Sequence, residues 1–220
     1  MPEQHDLTIS YDLPHCYLEV ARGMMLSIHH PLDAHSFTEE HGASPLANAV
    51  FSIMSVTVIY SYLAVEAFVN GRLYKVWQTR HDTTPDGQRF IAILGDPVSF
   101  EELRHHRRVA TLPERVKVLC EILQIPKPHE VDEPLWNTFT GLVNTCRNFL
   151  VHPTPAPNIF MRHMPRIMQS TPAGEYYRAA QTMIGHFFTQ RRIPEPDWLR
   201  ANTLLRFRGV DMLVGMADSR

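Results

Sequence analysis

The stretch Leu142-Val143-Asn144-Thr145-Cys146-Arg147-Asn148-Phe149-Leu150-Val151-His152, followed at once by Pro153, decides how the rest of the chain is read. With Phe139 just upstream, its apolar residues Leu142, Val143, Cys146 and Leu150 recur at helical spacing, so one face is built for burial. Arg147 and His152 fall at the far end, where Pro153 cannot donate a backbone hydrogen bond and the chain must turn. A guanidinium that stays charged at any biological pH thus precedes, by five positions, a side chain that titrates near neutrality. On a helix that spacing is roughly 140° around the axis, so the two groups diverge. One helix cannot aim both at the same atom. Two copies related by a two-fold axis can, each face giving an Arg and a His to a shared cleft.

Working outward, Asp132 is the expected N-cap of this helix, with Glu133 and Pro134 in its first turn and Trp136 and Phe139 facing the core. The longest expected element starts at Ser44-Pro45, a Ser N-cap with Pro at the first helical position, and runs to about Arg80 with Gly71 inside it. If continuous it is on the order of 50 Å long. Its Leu46–Val65 portion carries no charge and is long enough to cross a bilayer. Asn48, Ser52, Ser55, Tyr62 and Glu66 instead recur at steps that draw a narrow polar stripe, which favours a helix buried in a bundle or dimer over a membrane span.

Between the two helices, residues 81–95 read as a loop containing Thr83-Thr84-Pro85-Asp86-Gly87 and a brief apolar run, Phe90–Leu94. Ser99-Phe100-Glu101-Glu102 is a capping box for a short helix to about Arg108. Thr111-Leu112-Pro113-Glu114 is a second, opening a helix to Gln124 whose apolar face is Val116, Leu119, Cys120 and Leu123. Upstream, Tyr17, Ala21, Met24 and Ile28 share a helical face with Pro14 in the first turn, while Leu7–Tyr11 reads equally as a short strand. Downstream, Pro153–Asn158 is extended. Glu175–Gln190 is a helix with Tyr176, Ala180, Met183, Ile184 and Phe187 inward, and a last helix runs from Asp197 to about Phe207.

The expected fold class is therefore all-α, a helical bundle over residues 44–220 with its core in 44–152, and residues 1–43 as an N-terminal extension packed on it. The 44% hydrophobic content is enough for a sizeable core. Lys plus Arg numbers 21 against 23 acids, so nucleic acid is not recruited by bulk charge, and any RNA contact needs a local patch. The densest is Arg104-His105-His106-Arg107-Arg108, which serves either to guide phosphates or simply as a solvated helix end. Three separated cysteines, Cys16, Cys120 and Cys146, argue for reduced thiols rather than a disulfide framework or zinc site. The histidines between His29 and His41 lack a ligand spacing, so no metal is expected. Met1–Asp6 has no signal-peptide character, and the expected location is cytoplasmic.

Arg147-Asn148-Phe149-Leu150-Val151-His152 resembles the R-x4-6-H motif of the HEPN superfamily, in the form with a polar residue straight after the arginine. Ser61–Asn70 is similar to the first long helix of HEPN proteins, which often carries a Glu-aromatic-Asn pattern, here Glu66, Phe68 and Asn70. Leu112–Lys117 and Trp136 fall where many members have similar residues, so the likeness covers about Ser44 to His152.

The resemblance implies an up-and-down HEPN-like bundle, a homodimer, and a metal-independent endoribonuclease without cofactors, acting on RNA as a toxin or anti-phage defence effector. It makes Arg147, Asn148 and His152 catalytic. Glu66 and Asn70 are their supports, and Arg104, Arg107 and Arg108 are the RNA-binding patch. Glu66 has two readings: functionally it reaches the Arg147 guanidinium and fixes its direction, while structurally it only neutralises a buried cation or faces water at the bundle's edge. The resemblance equally admits a non-catalytic dimerisation or nucleotide- or protein-binding module. Members silenced by a nucleotidyltransferase partner carry a modifiable tyrosine two places after the histidine; here that place is Thr154, which leaves an antitoxin or other regulatory protein without that particular handle.

Overall fold

A computed structural model describes residues 12–26, 45–145, 150 and 170–200. The described elements are helices α1 (Leu13–Leu26), α2 (Pro45–Gln78), α3 (Pro85–Leu94) and α4 (Phe100–His105), then a 3-10 turn (Arg107–Val109). They continue with α5 (Leu112–Leu123), α6 (Pro128–Val131), α7 (Glu133–Thr145), α8 (Ser170–Gln190) and α9 (Asp197–Arg200). No strand occurs among the described residues, and the fold is all-α.

The axle is α2. It packs against α1, α3, α5, α7 and α8, and its Met54, Val58, Ala64, Val65, Val69 and Leu73 lie in the core. Its sequence explains the role: apolar side chains wrap around it instead of forming one stripe, and Gly71 is carried inside the helix with open space where a Cβ would stand. The span Ser52–Gln78 is long and apolar enough to cross a bilayer by composition, yet half of its most apolar window is buried in the chain's own core. The polar residues do not keep to one stripe. Ser52 is exposed and Tyr62 and Glu66 half-buried, but Thr57 and Ser61 are fully buried. Thr57 satisfies its hydroxyl by donating to the Ile53 carbonyl at 3.0 Å, whereas the Ser61 hydroxyl has no partner among the described residues.

Two boundaries differ from the sequence reading for identifiable reasons. Residues 85–94 are a helix and not a returning loop. Thr84 is its N-cap, its Oγ1 accepting from the Gly87 amide at 3.2 Å, with Pro85 at the first position, Asp86 in the first turn, and Phe90 and Leu94 buried one turn apart. The Thr-Pro-Asp-Gly sequence starts a helix here instead of making a turn. Gly87 is required by packing: a Cβ there would meet the Thr79 carbonyl oxygen at 2.9 Å, so α3 starts against the end of α2. Helix α4 ends early, at His105, because His106 is extended and the chain re-enters through a single 3-10 turn that buries Val109.

On α1, Leu18, Ala21 and Arg22 turn inward while Met24 is exposed, so the buried face is rotated from the one expected through Tyr17, Met24 and Ile28. Tyr17 is half-buried, edge-on to Tyr60 of α2 at 5.6 Å; Ile28, the histidines from His29 to His41 and Leu7–Tyr11 lie outside the described residues. The α5 capping box forms as read, Thr111 and Glu114 exchanging their bonds, but Val118 and Ile122 are buried along with Val116, Leu119 and Cys120, and Leu123 is only half-buried. On α8, all five residues expected inward are buried.

Candidate functional site

Helix α7 leads to the Arg147–His152 stretch. Asp132 caps it, accepting from the Leu135 amide at 2.9 Å, and Phe139, Leu142 and Val143 bury one face against α2 and α8. Trp136 is half-buried, 5.6 Å from the Phe139 ring, with the Lys117 ammonium 5.2 Å above it. Leu150, half-buried, packs on the same core. Arg147, Asn148, His152 and Cys146 lie outside the described residues.

The two supporting residues on α2 converge on a cation from α5. Arg115 donates from one terminal nitrogen to Asn70 Oδ1 at 2.6 Å and from the other to Glu66 Oε1 at 2.8 Å, and the Tyr62 hydroxyl donates to the same Glu66 oxygen at 3.2 Å. Glu66 and Asn70 are one turn apart, so a single guanidinium fork spans both. The side chains are 15% exposed for Arg115 and 25% for Glu66, so the charges are largely out of bulk water, and the Arg115 Nε is buried without an acceptor. This clamp pins α5 to α2 across 45 to 49 residues of chain.

Glu66 neutralises a half-buried cation, Arg115, while the other residue it was expected to orient, Arg147, lies outside the described residues. The sequence held a signal for it. Arg115 falls between Leu112 and Leu119 on a buried face, and a cation there requires a partner.

The Arg104–Arg108 cluster is not a uniform positive surface. Arg104 belongs to α4, and its side chain is not among those described. Arg108 donates to Glu121 at 2.6 Å, and the Lys127 ammonium holds the other oxygen of that carboxylate at 3.0 Å. Burial pushes the Glu121 carboxyl up, but hydrogen bonds from Lys127 and Arg108 outweigh it and hold the group below the usual carboxylate range. His106 Nδ1 accepts from the Arg108 amide at 3.2 Å. Arg107 is exposed and has no acidic partner among the described residues. Among the described side chains an anion arriving here finds one free guanidinium, that of Arg107, with acidic side chains interleaved.

Two further titratable groups are set by burial. His186 on α8 lies 2.8 Å through Nε2 from the Pro126 carbonyl, and its pKa is lowered by desolvation against the opposing pull of that bond. The Cys120 thiol is fully buried and is pushed up to about 12, chiefly by desolvation with Glu130 adding to it. It is a packing residue, not a nucleophile. Among the described residues no three His, Cys, Asp or Glu side chains gather in a way that would hold a metal ion.

No protein-family model, no curated protein and no solved structure matches this chain.

Proposed function

We propose that the chain is a metal-independent endoribonuclease of the HEPN type, built on an up-and-down HEPN-like bundle and working as a cytoplasmic homodimer on RNA in toxin-like or defence roles. The observation that carries this reading is the R-N-x3-H spacing of Arg147, Asn148 and His152 in the sequence that follows α7, a helix anchored in the core by Phe139 and Leu142. Cleavage by the ribose 2′-oxygen needs a group that moves a proton near neutrality, which is the role of His152. Charge then builds on the phosphoryl oxygens, which the Arg147 fork binds in pairs. Asn148 orients the arginine or the phosphate through its amide. The products are a 2′,3′-cyclic phosphate and a 5′-hydroxyl.

The Glu66–Asn70–Arg115 clamp narrows the proposal. Those residues support the site by fixing α5 on α2, and a direct hand in the chemistry is not part of the reading. The same observation favours the second reading, a non-catalytic dimerisation or binding module, because Glu66, Asn70 and Arg108, three residues expected to serve the site, already have structural work.

Incubating the purified protein with mixed-sequence RNA in EDTA, beside His152→Ala and Arg147→Ala, separates the two. The enzyme reading expects cyclic-phosphate ends from the wild type and a loss of about a hundredfold or more in each variant. Cleavage that survives both substitutions sinks it. Intact RNA with every substrate, from a protein that light scattering shows to be dimeric, establishes the module.

A further inference from the structure

A cleft between α2, α3 and the end of α8 holds an arrangement that neither the motif nor the clamp uses. It encloses about 240 Å3, and its described lining combines three cations, Arg72, Lys75 and Arg191, with an aromatic wall of Phe68, Phe187 and Phe188. In its described lining stands the carboxylate of Asp86, both oxygens taken, Oδ1 by Arg89 at 2.6 Å and Oδ2 by Arg191 at 3.3 Å, while Asp12 borders the adjoining groove that shares Arg72 and Lys75. Arg191 is further fixed by donating to the Leu123 carbonyl at 3.2 Å. Asp86 therefore answers Arg191 and leaves Arg72 and Lys75 as the cleft cations it does not touch.

Arg72 has the least compensation. Its guanidinium lies 5.3 Å from the Phe68 ring centre and 5.6 Å from that of Phe188. Among the described residues it makes no hydrogen bond and no ion pair. Burial pushes it below the ordinary arginine value; Asp12 pulls it back from a distance beyond an ion pair, and Arg191 adds a like charge. The two aromatic rings accept the face of the cation but none of its N–H donors. The bland explanation is a guanidinium stacked on apolar surface with its head in water. That accounts for Arg72 alone. It does not account for Lys75 standing in the same cleft while Asp86, the carboxylate in the described lining, is already bonded to Arg89 and Arg191.

We propose that this cleft is a binding site for a small organic anion, a carboxylate or phosphate carried on a flat apolar ring, with Arg72 and Lys75 taking the charge, Arg191 flanking it and Phe68, Phe187 and Phe188 taking the ring. The volume lies somewhat below the roughly 300–1,000 Å3 of drug-sized sites, which limits the occupant to about one ring and its headgroup. Its described lining contains none of Arg147, Asn148 and His152, so the proposal does not draw on the RNA-cleaving chemistry.

Fluorine NMR on the full chain tests it with four probes: 4-fluorophenyl phosphate, 4-fluorobenzoate, the uncharged 4-fluorobenzamide, and inorganic phosphate as competitor. The proposal expects saturable binding of at least one aryl anion below about 10 mM, a limit suited to single-ring fragments. It expects the amide to bind about tenfold or more weaker than the anion, and Arg72→Gln to weaken the anion by a similar factor. Lys75→Gln, a substitution on the exposed rim that spares the fold, is expected to weaken it about two- to threefold. Raising the salt lowers affinity in the wild type and less so in either variant. Preference between the phosphate and the carboxylate probe identifies the headgroup. The proposal is overturned if no aryl anion saturates, if the amide binds as tightly as benzoate, or if Arg72→Gln, still melting cooperatively, and Lys75→Gln bind like the wild type. Should Arg72→Gln fail to fold, the amide and Lys75→Gln comparisons decide alone.

Discussion

Arg115 and Arg72 meet the same helix in opposite ways. Arg115 reaches α2 from α5 and finds Glu66 and Asn70 at 2.8 and 2.6 Å, a charge and an amide one turn apart. Arg72, a residue of α2 itself, faces Phe68 and Phe188 and a second arginine. Both are partly withdrawn from water, so both bear a desolvation cost. Among the described residues one is answered by a carboxylate and an amide in contact, the other by aromatic rings with Asp12 acting only from a distance. A guanidinium with its fork filled by carboxylate and amide is architecture; one left over an aromatic wall keeps its donors for something that arrives.

The strongest way to break this comparison is to empty the clamp. Glu66→Ala leaves the Arg115 charge half-buried with only Asn70, and is expected to lower unfolding stability by about 2–3 kcal/mol, below the full cost of a sealed pair because both side chains keep some water. Arg115→Ala alone should cost less than the sum implies, since it removes the charge that suffers. A urea double-mutant cycle reads the coupling directly. Additive losses would mean that the 2.8 Å contact is incidental.

Next in size is the start of α5. Thr111 Oγ1 accepts from the Glu114 amide at 3.4 Å while Glu114 returns to the Thr111 amide at 2.9 Å, and Arg115 is the next residue. Thr111→Ala is expected to cost about 1 kcal/mol. If the cap also aims Arg115, the Glu66–Arg115 coupling measured in that background falls. An unchanged coupling would separate the cap from the clamp.

The elements carried by local chemistry were legible from the residues alone. Ser44-Pro45 announced α2, Thr111 and Glu114 announced α5, and the inward set of α8 followed from its period. What misled was chemistry with two local solutions. Thr84-Pro85-Asp86-Gly87 suits a turn as well as a helix start, and the helix goes with the burial of Phe90 and Leu94 one turn apart, Gly87 allowing it to begin close against the Thr79 and Arg80 carbonyls. The partner of Glu66 was hidden for a related reason. It is 49 residues away, and periodicity identifies which face is buried but not which face it meets.

His186 offers a third answer to burial and a smaller effect. Unlike an arginine, it can shed its charge. With its pKa lowered by desolvation, and a bond to the Pro126 carbonyl offsetting part of that, the folded chain takes up this proton later than the unfolded chain does. The sign follows: the group leaves stability untouched above about pH 6.5 and erodes it as the pH falls below, where the unfolded state binds more protons. Urea midpoints between pH 7.5 and 5, taken as roughly the span of that titration, should fall less steeply in His186→Gln than in the wild type. Parallel slopes in the two proteins would remove His186 from the account.

Arg72→Met is the substitution for which the smallest change is expected, and it sharpens the comparison most. Methionine keeps the apolar length that packs between Phe68 and Phe188 and removes a charge that Arg191 repels. Lost cation–π attraction and relieved repulsion oppose each other, so stability should move by no more than about 0.5 kcal/mol in either direction. Suppose instead that it falls by as much as Glu66→Ala. Then Arg72 is a structural residue held by its rings, the two arginines do the same work by different means, and the cleft loses its reason to attract an anion. A near-zero change means that the fold does not depend on the charge, and a positive residue in a half-buried cleft that contributes nothing to stability is best explained by what it binds.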